Sequence, residues 1–159
     1  MLWEHAKVVL SHYFSMWSVY TFPDGLRVSG TFVEGLLQGP ARELYPCDLL
    51  VQREWRDGSP VKSGSGTLTY PDGTTYCGAL VDGQPHGDGQ LCTADGVVCS
   101  GQFVYGSAHG IAVQRMPNGD VFVGGFRGGR RDGDGVFTFQ TGDQVKGVWV
   151  DGVFHHACK

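Results

Sequence analysis

Tyr76-Cys77-Gly78-Ala79-Leu80, followed by Gly83, His86-Gly87, Gly89 and Asp95-Gly96, is the stretch that decides the fold, because it recurs. Cys99-Ser100-Gly101-Gln102-Phe103 leads to Gly106, His109-Gly110 and Asn118-Gly119. Phe122-Val123-Gly124-Gly125-Phe126 leads to Gly129, Asp132-Gly133, Gly135 and Thr141-Gly142. Val145-Lys146-Gly147-Val148-Trp149 leads to Gly152 and to His155-His156, where a His-Gly pair should stand. The anchor glycines fall at 78, 101, 124 and 147, a spacing of 23 residues held three times running. Such fixed-period self-similarity is the mark of a repeat architecture.

The same pattern runs backwards more loosely. Arg53 replaces the anchor glycine ahead of Trp55 and Gly58, and a two-residue insertion near 59–62 precedes Ser63-Gly64-Ser65-Gly66. One unit earlier stand Gly30-Thr31-Phe32, Gly35, Gln38-Gly39 and Ala41. Residues 18–25 match 66–73, and residues 5–17 fit as a glycine-poor start with Val9 in the aromatic position. The chain thus reads as a single repeat domain over 1–159, with a degenerate opening unit at 5–25 and units anchored near 30, 53, 78, 101, 124 and 147.

Alternation sets the content of one unit. Tyr76, Gly78 and Leu80 share one strand face, as do Phe122, Gly124 and Phe126. Leu68 with Tyr70, and Phe137 with Phe139, mark a second strand by the same period of two. Asp72-Gly73 and Asp82-Gly83 supply the positive φ that tight hairpin turns need. Each unit is therefore a β-hairpin, and the whole is expected to be an all-β, elongated, open-ended antiparallel meander with local contacts only. Strands are expected near 75–81, 89–93, 98–104, 112–116, 121–127, 135–139 and 144–150, with a helix before residue 18 as the local exception. A glycine in mid-strand weakens a sheet, so the anchor glycine should mark a place where an aromatic ring lies close over the backbone.

Composition narrows the function classes. Among 159 residues there are 26 glycines, several-fold more than the 7 prolines, without the third-residue period of collagen. A hydrophobic content of 41% and an aromatic content of 12% are too high for a disordered chain. A formal charge of −4 and a pI near 5.8 oppose general binding to nucleic acid. No apolar run is long enough to cross a bilayer as a helix. Glu4, His5 and Lys7, with Ser11, His12, Ser15 and Ser18 breaking up the apolar stretch, are not the layout of a secretory signal. The five cysteines contain no C-x-x-C pair and are expected to be reduced thiols in a cytoplasmic chain.

The pattern Y-x-G-x-(F/W)-x-x-G-x-x-H-G-x-G-x-x-x-x-x-D-G resembles the MORN repeat, the membrane occupation and recognition nexus motif, closely over 64–152 and loosely over 5–63. Residues 30–45 also resemble the MORN half of a histone-lysine methyltransferase, with no segment resembling its catalytic domain. The resemblance implies membership of cytoskeletal, ciliary or membrane-junction assemblies, in some cases as a small subunit.

Sites of chemistry are weighed against the repeat. His86 and His109 read as turn histidines bonded to backbone, with no carboxylate or cysteine at ligand spacing, so no metal or cofactor is expected. Cys92 and Cys99 occupy ordinary strand positions, equivalent to Thr69, Arg115 and Thr138 and to Tyr76, Phe122 and Val145. The acidic pair in Gly128–Gly135 occurs once, unlike nonapeptide calcium repeats. There is no phosphate-binding loop and no nucleophile elbow, so neither an enzyme nor a small-molecule substrate is expected. Arg127, Arg130 and Arg131 crowd one hairpin end and form a candidate phosphoinositide site. The aromatic series of Phe32, Trp55, Phe103, Phe126 and Trp149, extended by Tyr76, Phe122, Phe137 and Phe139, serves as core and as a candidate partner-binding groove. Equivalent positions ~10 Å apart would suit a peptide or helix laid across the strands. The expected function is a non-enzymatic protein-interaction scaffold. Its alternatives are a phosphoinositide-binding membrane tether and an accessory module of a separate enzyme.

Overall fold

The computed structural model describes residues 15–157. They form one antiparallel sheet of fourteen strands: β1 (Met16–Thr21), β2 (Arg27–Val33), β3 (Leu36–Leu44), β4 (Leu50–Arg56), β5 (Ser59–Pro60), β6 (Ser63–Thr69), β7 (Thr75–Val81), β8 (Gln84–Cys92), β9 (Val98–Val104), β10 (Ser107–Arg115), β11 (Val121–Arg127), β12 (Arg130–Thr138), β13 (Gln144–Val150) and β14 (Val153–Ala157). Spatial order follows sequence order from β1 to β14, with β5 branching off β4, and the two end strands do not pair with each other. This is the open meander read from the repeat. The expected helix before residue 18 falls mostly outside the described residues, but Met16 and Trp17 are in strand β1.

Two kinds of turn alternate, one along each margin of the sheet. At Asp82-Gly83 both central residues have positive φ (49° and 80°), the two-residue type I′ hairpin whose twist matches the strands it joins. The other turn spans three residues. Thr93 N–H donates to the Val97 carbonyl and Gly96 N–H donates back to that of Thr93, with the same pair of bonds at Phe22, Tyr45, Tyr70, Met116 and Phe139.

The strands 75–81, 98–104, 121–127 and 144–150 stand as expected, but the second strand of each unit begins about five residues earlier than expected. The His-Gly segment is a bulge inside that strand and not a turn. Gly101 faces Ala112 and Phe103 faces Ala108, so two steps on β9 oppose four on β10. The equivalent shift falls between Gly78 and Leu80 against β8, and between Gly124 and Phe126 against β12. Gly87, at φ 87°, supplies the left-handed backbone that the bulge requires.

The core lies on one face. Small residues form a continuous cross-strand row: Gly66, Gly78, Gly89, Gly101, Ala112, Gly124, Gly135 and Gly147. The Tyr76, Phe122 and Phe154 side chains lie close over this row at Gly89, at Gly124 and Gly135, and at Gly147. A Cβ on Gly135 would stand 2.5 Å from the Phe122 ring, and one on Gly89 would collide with the Tyr76 hydroxyl. Glycine here makes room for the neighbour's aromatic, which is how a single layer buries Phe122 completely. Two apolar clusters result. Leu26, Val28, Phe32, Leu37, Ala41 and Trp55 form one, and Val51 through Trp149 the other.

Candidate functional site

The aromatic face is full. Phe32, Trp55, Tyr76, Phe103, Phe122, Phe126 and Trp149 are each at most 5% exposed. Their rings meet edge to face, with centroids 5.1 Å apart for Tyr76–Phe103 and 4.9 Å for Phe122–Trp149. Of the nine aromatics singled out in the sequence, Phe137 is half-buried and Phe139 is exposed. These two pack on each other at 4.9 Å.

Two polar residues interrupt this face, and each is met by an arginine of the following unit. Glu43 stands at the repeat position of Leu68, Leu91 and Phe137 and is fully buried. Its Oε1 accepts from Arg53 Nε at 2.7 Å and Trp55 Nε1 at 2.8 Å, and its Oε2 from Arg53 Nη2 and Tyr45 Oη at 2.9 Å each. The missing anchor glycine at 53 is thus a buried cation that satisfies a buried anion. Burial, the Glu43 charge and the bond to it push the Tyr45 hydroxyl up to about 12. Gln114 is at the same repeat position as Glu43, and its Oε1 accepts from Arg131 Nε and Nη2 at 2.9 and 2.7 Å.

That bond decides the geometry of the arginine cluster. Arg131 pairs across the strands with Phe126, on the core face, and its guanidinium lies 4.8 Å from the Phe122 ring centre and 5.2 Å from that of Phe137. Arg127 and Arg130 pair with each other on the opposite face. There Arg127 reaches Asp132 at 3.2 Å and Arg130 reaches Asp151 at 3.7 Å. The three cations do not converge on one point.

His86 also differs from expectation. Buried His86 Nδ1 makes no hydrogen bond, and the ring packs edge-on against Tyr105 with centroids 5.5 Å apart. His86 therefore fills space beside the bulge without bonding backbone through that nitrogen. Cys92 and Cys99 are strand residues as read from the register. Leu91 faces Cys99, so the two thiols point to opposite faces.

On the face opposite the core lies a concavity that the sequence reading missed. A trough of about 610 Å³ crosses β1 to β6. Its floor is the cross-strand row Ser29, Arg42, Gln52 and Thr67, with Ser65, Glu54 and Trp17 around it. Trp17 is 67% exposed. Strand alternation would have put these residues on one face. The short side chains of Ser29, Ser65 and Thr67, rather than any motif, make the hollow.

Family comparison fits this geometry. The MORN repeat model matches four consecutive segments, 61–75, 76–98, 99–121 and 122–144. The chain belongs to the MORN-repeat family. Three matched segments are one 23-residue period each, and the first is the second half of the unit carrying Arg53 and the insertion. No curated protein matches the chain. Among solved structures, the TCP domain of SAS-4 (dCPAP) from Drosophila melanogaster, determined with a proline-rich motif of Ana2 (dSTIL), is 14% identical. That match covers 88% of this MORN chain and 97% of that chain at a TM-score of 0.38. The TCP10 domain of Danio rerio CPAP is 15% identical, covering 86% and 72%, at a TM-score of 0.33. TM-scores this low carry no functional weight.

Proposed function

We propose that this MORN chain is a non-catalytic scaffold that docks a protein partner in the trough opposite its aromatic face. The trough itself is the observation that carries the reading. The aromatic face has its large side chains committed to packing, whereas the trough is open and bordered by an exposed tryptophan, a residue type favoured at interaction hot spots. Crossing five strands at ~4.8 Å spacing, it is ~19 Å long. That length takes about six residues of extended chain or ~13 of helix. The buried aromatics act indirectly, holding the sheet in the shape that forms the trough, while Phe137 and Phe139 are the two of the nine that a partner could touch. A cytoskeletal or ciliary assembly is the setting implied by the repeat.

Capture from cell extract with wild type, Trp17→Ala, Arg42→Glu and Phe139→Ala tests this, with a thermal melt of each variant. We expect the two trough variants to lose a partner that Phe139→Ala retains, with melts unchanged. Loss with Phe139→Ala alone would move the partner to the aromatic side.

A further inference from the structure

Seven residues after each anchor lies a position that faces the large residue of its own unit. Leu37 faces Phe32, Pro60 faces Trp55, Pro85 faces Leu80, Ala108 faces Phe103 and Phe154 faces Trp149. In the unit anchored at 124 the residue facing Phe126 is Arg131, charged where the five others are not. Gln114 is a second departure, since its column carries Leu68, Leu91 and Phe137 in neighbouring units. The two departures meet each other.

A guanidinium offers five N–H donors in one plane. Nε and Nη2 of Arg131 both donate to Gln114 Oε1, at 2.9 and 2.7 Å, which fixes the direction of the group. Its outer edge, formed by Nη1 and the second hydrogen of Nη2, meets the Met116 thioether at 3.7 Å and no oxygen among the described residues. Nη1 is open to solvent. Arg131 forms no ion pair among those residues either. Burial pulls its guanidinium below the ordinary arginine value. Burial acts on Arg53 in the same direction, but there the bond to Glu43 and its charge outweigh it and raise the group. Arg131 is thus a half-buried cation, set against the Phe122 and Phe137 rings and oriented by a neutral side chain, with no anion.

We propose that Arg131 anchors a second docking site, for the acidic side chain of a peptide partner. Charge complementarity selects an anion, and the planar outer edge suits a carboxylate held by two parallel hydrogen bonds. The chain itself displays the pairing that this unit lacks. Glu43, in the column of Gln114, meets Arg53 beside Trp55 and Tyr45. Gln114 is a positioning residue. Met116 and Phe137, both half-buried, lower the local dielectric and so strengthen the contact. The site is independent of the trough, since Arg131 belongs to the aromatic face.

The probes are the capped peptide Leu-Glu-Leu and its Leu-Gln-Leu counterpart, titrated into the intact chain. Binding is read from the Arg131 Nε–H resonance and from the Phe137 ring resonances. Wild type is expected to bind the glutamate peptide about tenfold more tightly than the glutamine one. Arg131→Met is expected to abolish that preference, and Arg131→Lys, which keeps the charge without the fork, to weaken it if the first variant does not fold. Gln114→Glu supplies the anion from within the chain, so it is expected to melt higher than wild type and to lose the peptide. Equal binding of both peptides, a preference that survives both Arg131 variants, or full binding by Gln114→Glu would each overturn the proposal. So would displacement of the peptide by an equal concentration of acetate, which would make the ligand a free carboxylate. None of these outcomes bears on capture through Trp17.

Discussion

Arg53 Nε lies 2.7 Å from Glu43 Oε1, and this ion pair stands where the units with Leu68, Leu91 and Phe137 carry an apolar residue and where the other anchors are glycine. It sits on β4 between Val51 of one apolar cluster and Trp55 of the other. With four donors on its two oxygens, Glu43 is fully satisfied although no solvent reaches it.

Restoring the repeat residue should therefore harm this protein. Arg53→Gly leaves a buried carboxylate without its cation and is expected to cost ~3–5 kcal/mol in denaturant unfolding. Adding Glu43→Leu should recover most of that loss, because an apolar replacement of a buried pair is often neutral or stabilising. A harmless Arg53→Gly would show that the pair is dispensable.

Tyrosine titration gives a second check. Tyr45 and Tyr76 both have hydroxyls pushed from 10.0 to about 12, in each case first by burial. The folded state thus favours the neutral phenol. That contribution is complete below pH 10 and is lost as pH rises from about 10 to 12, where the unfolded chain ionises first. Tyrosinate absorbance should show a late-titrating class, and stability should fall across that window. Removing Tyr45 as Tyr45→Phe should reduce the slope.

Glycines of the two kinds should respond oppositely to alanine. Gly135→Ala drives a methyl into the Phe122 ring and is expected to destabilise by ~1–3 kcal/mol. At Gly64 a Cβ meets nothing within 4 Å, so Gly64→Ala should be neutral or stabilising by up to ~1 kcal/mol. Equal effects at both sites would remove the ring-over-glycine account of the core.

Aromatics should divide by burial. Phe122→Ala is expected to cost ~3–5 kcal/mol, since its ring is fully buried against Phe126, Trp149 and Arg131. Phe139, 42% exposed, should cost less than half as much. Denaturant melts of the two single variants compare them directly.

The meander was legible because a 23-residue period, the anchor glycine and the Asp-Gly turns all agree on one hairpin per unit. The first half of each second strand was not, because His86-Gly87 looks like a turn until its cross-strand partners are known. Gly87 and Phe103 sit opposite each other in an undisturbed ladder on the far side of β8. The role of Arg53 was hidden for a different reason. Its departure from glycine shows in the sequence, but its partner Glu43 is recognisable only when aligned with Leu68, Leu91 and Phe137 as an acid in a core column. The trough leaves no trace in a motif, since short side chains at Ser29, Ser65 and Thr67 create it by what they lack.

The bulge also has a bearing on how such chains change length. Between Gln52–Thr67 and Trp55–Pro60, three steps on β4 oppose seven residues of the neighbouring segment, against five in the next unit between Cys77–Gln90 and Leu80–Pro85. The two extra residues are taken up there, and the Tyr70 turn downstream keeps the same hydrogen bonds as every other unit. The second strand thus contains a slip joint: residues can be inserted at the bulge at the expense of one ladder pair and of the strand's continuity, with the register kept on both sides. A fixed period is therefore a habit of the sequence and not a demand of the sheet, and counting units by their turns finds repeats that counting by spacing overlooks.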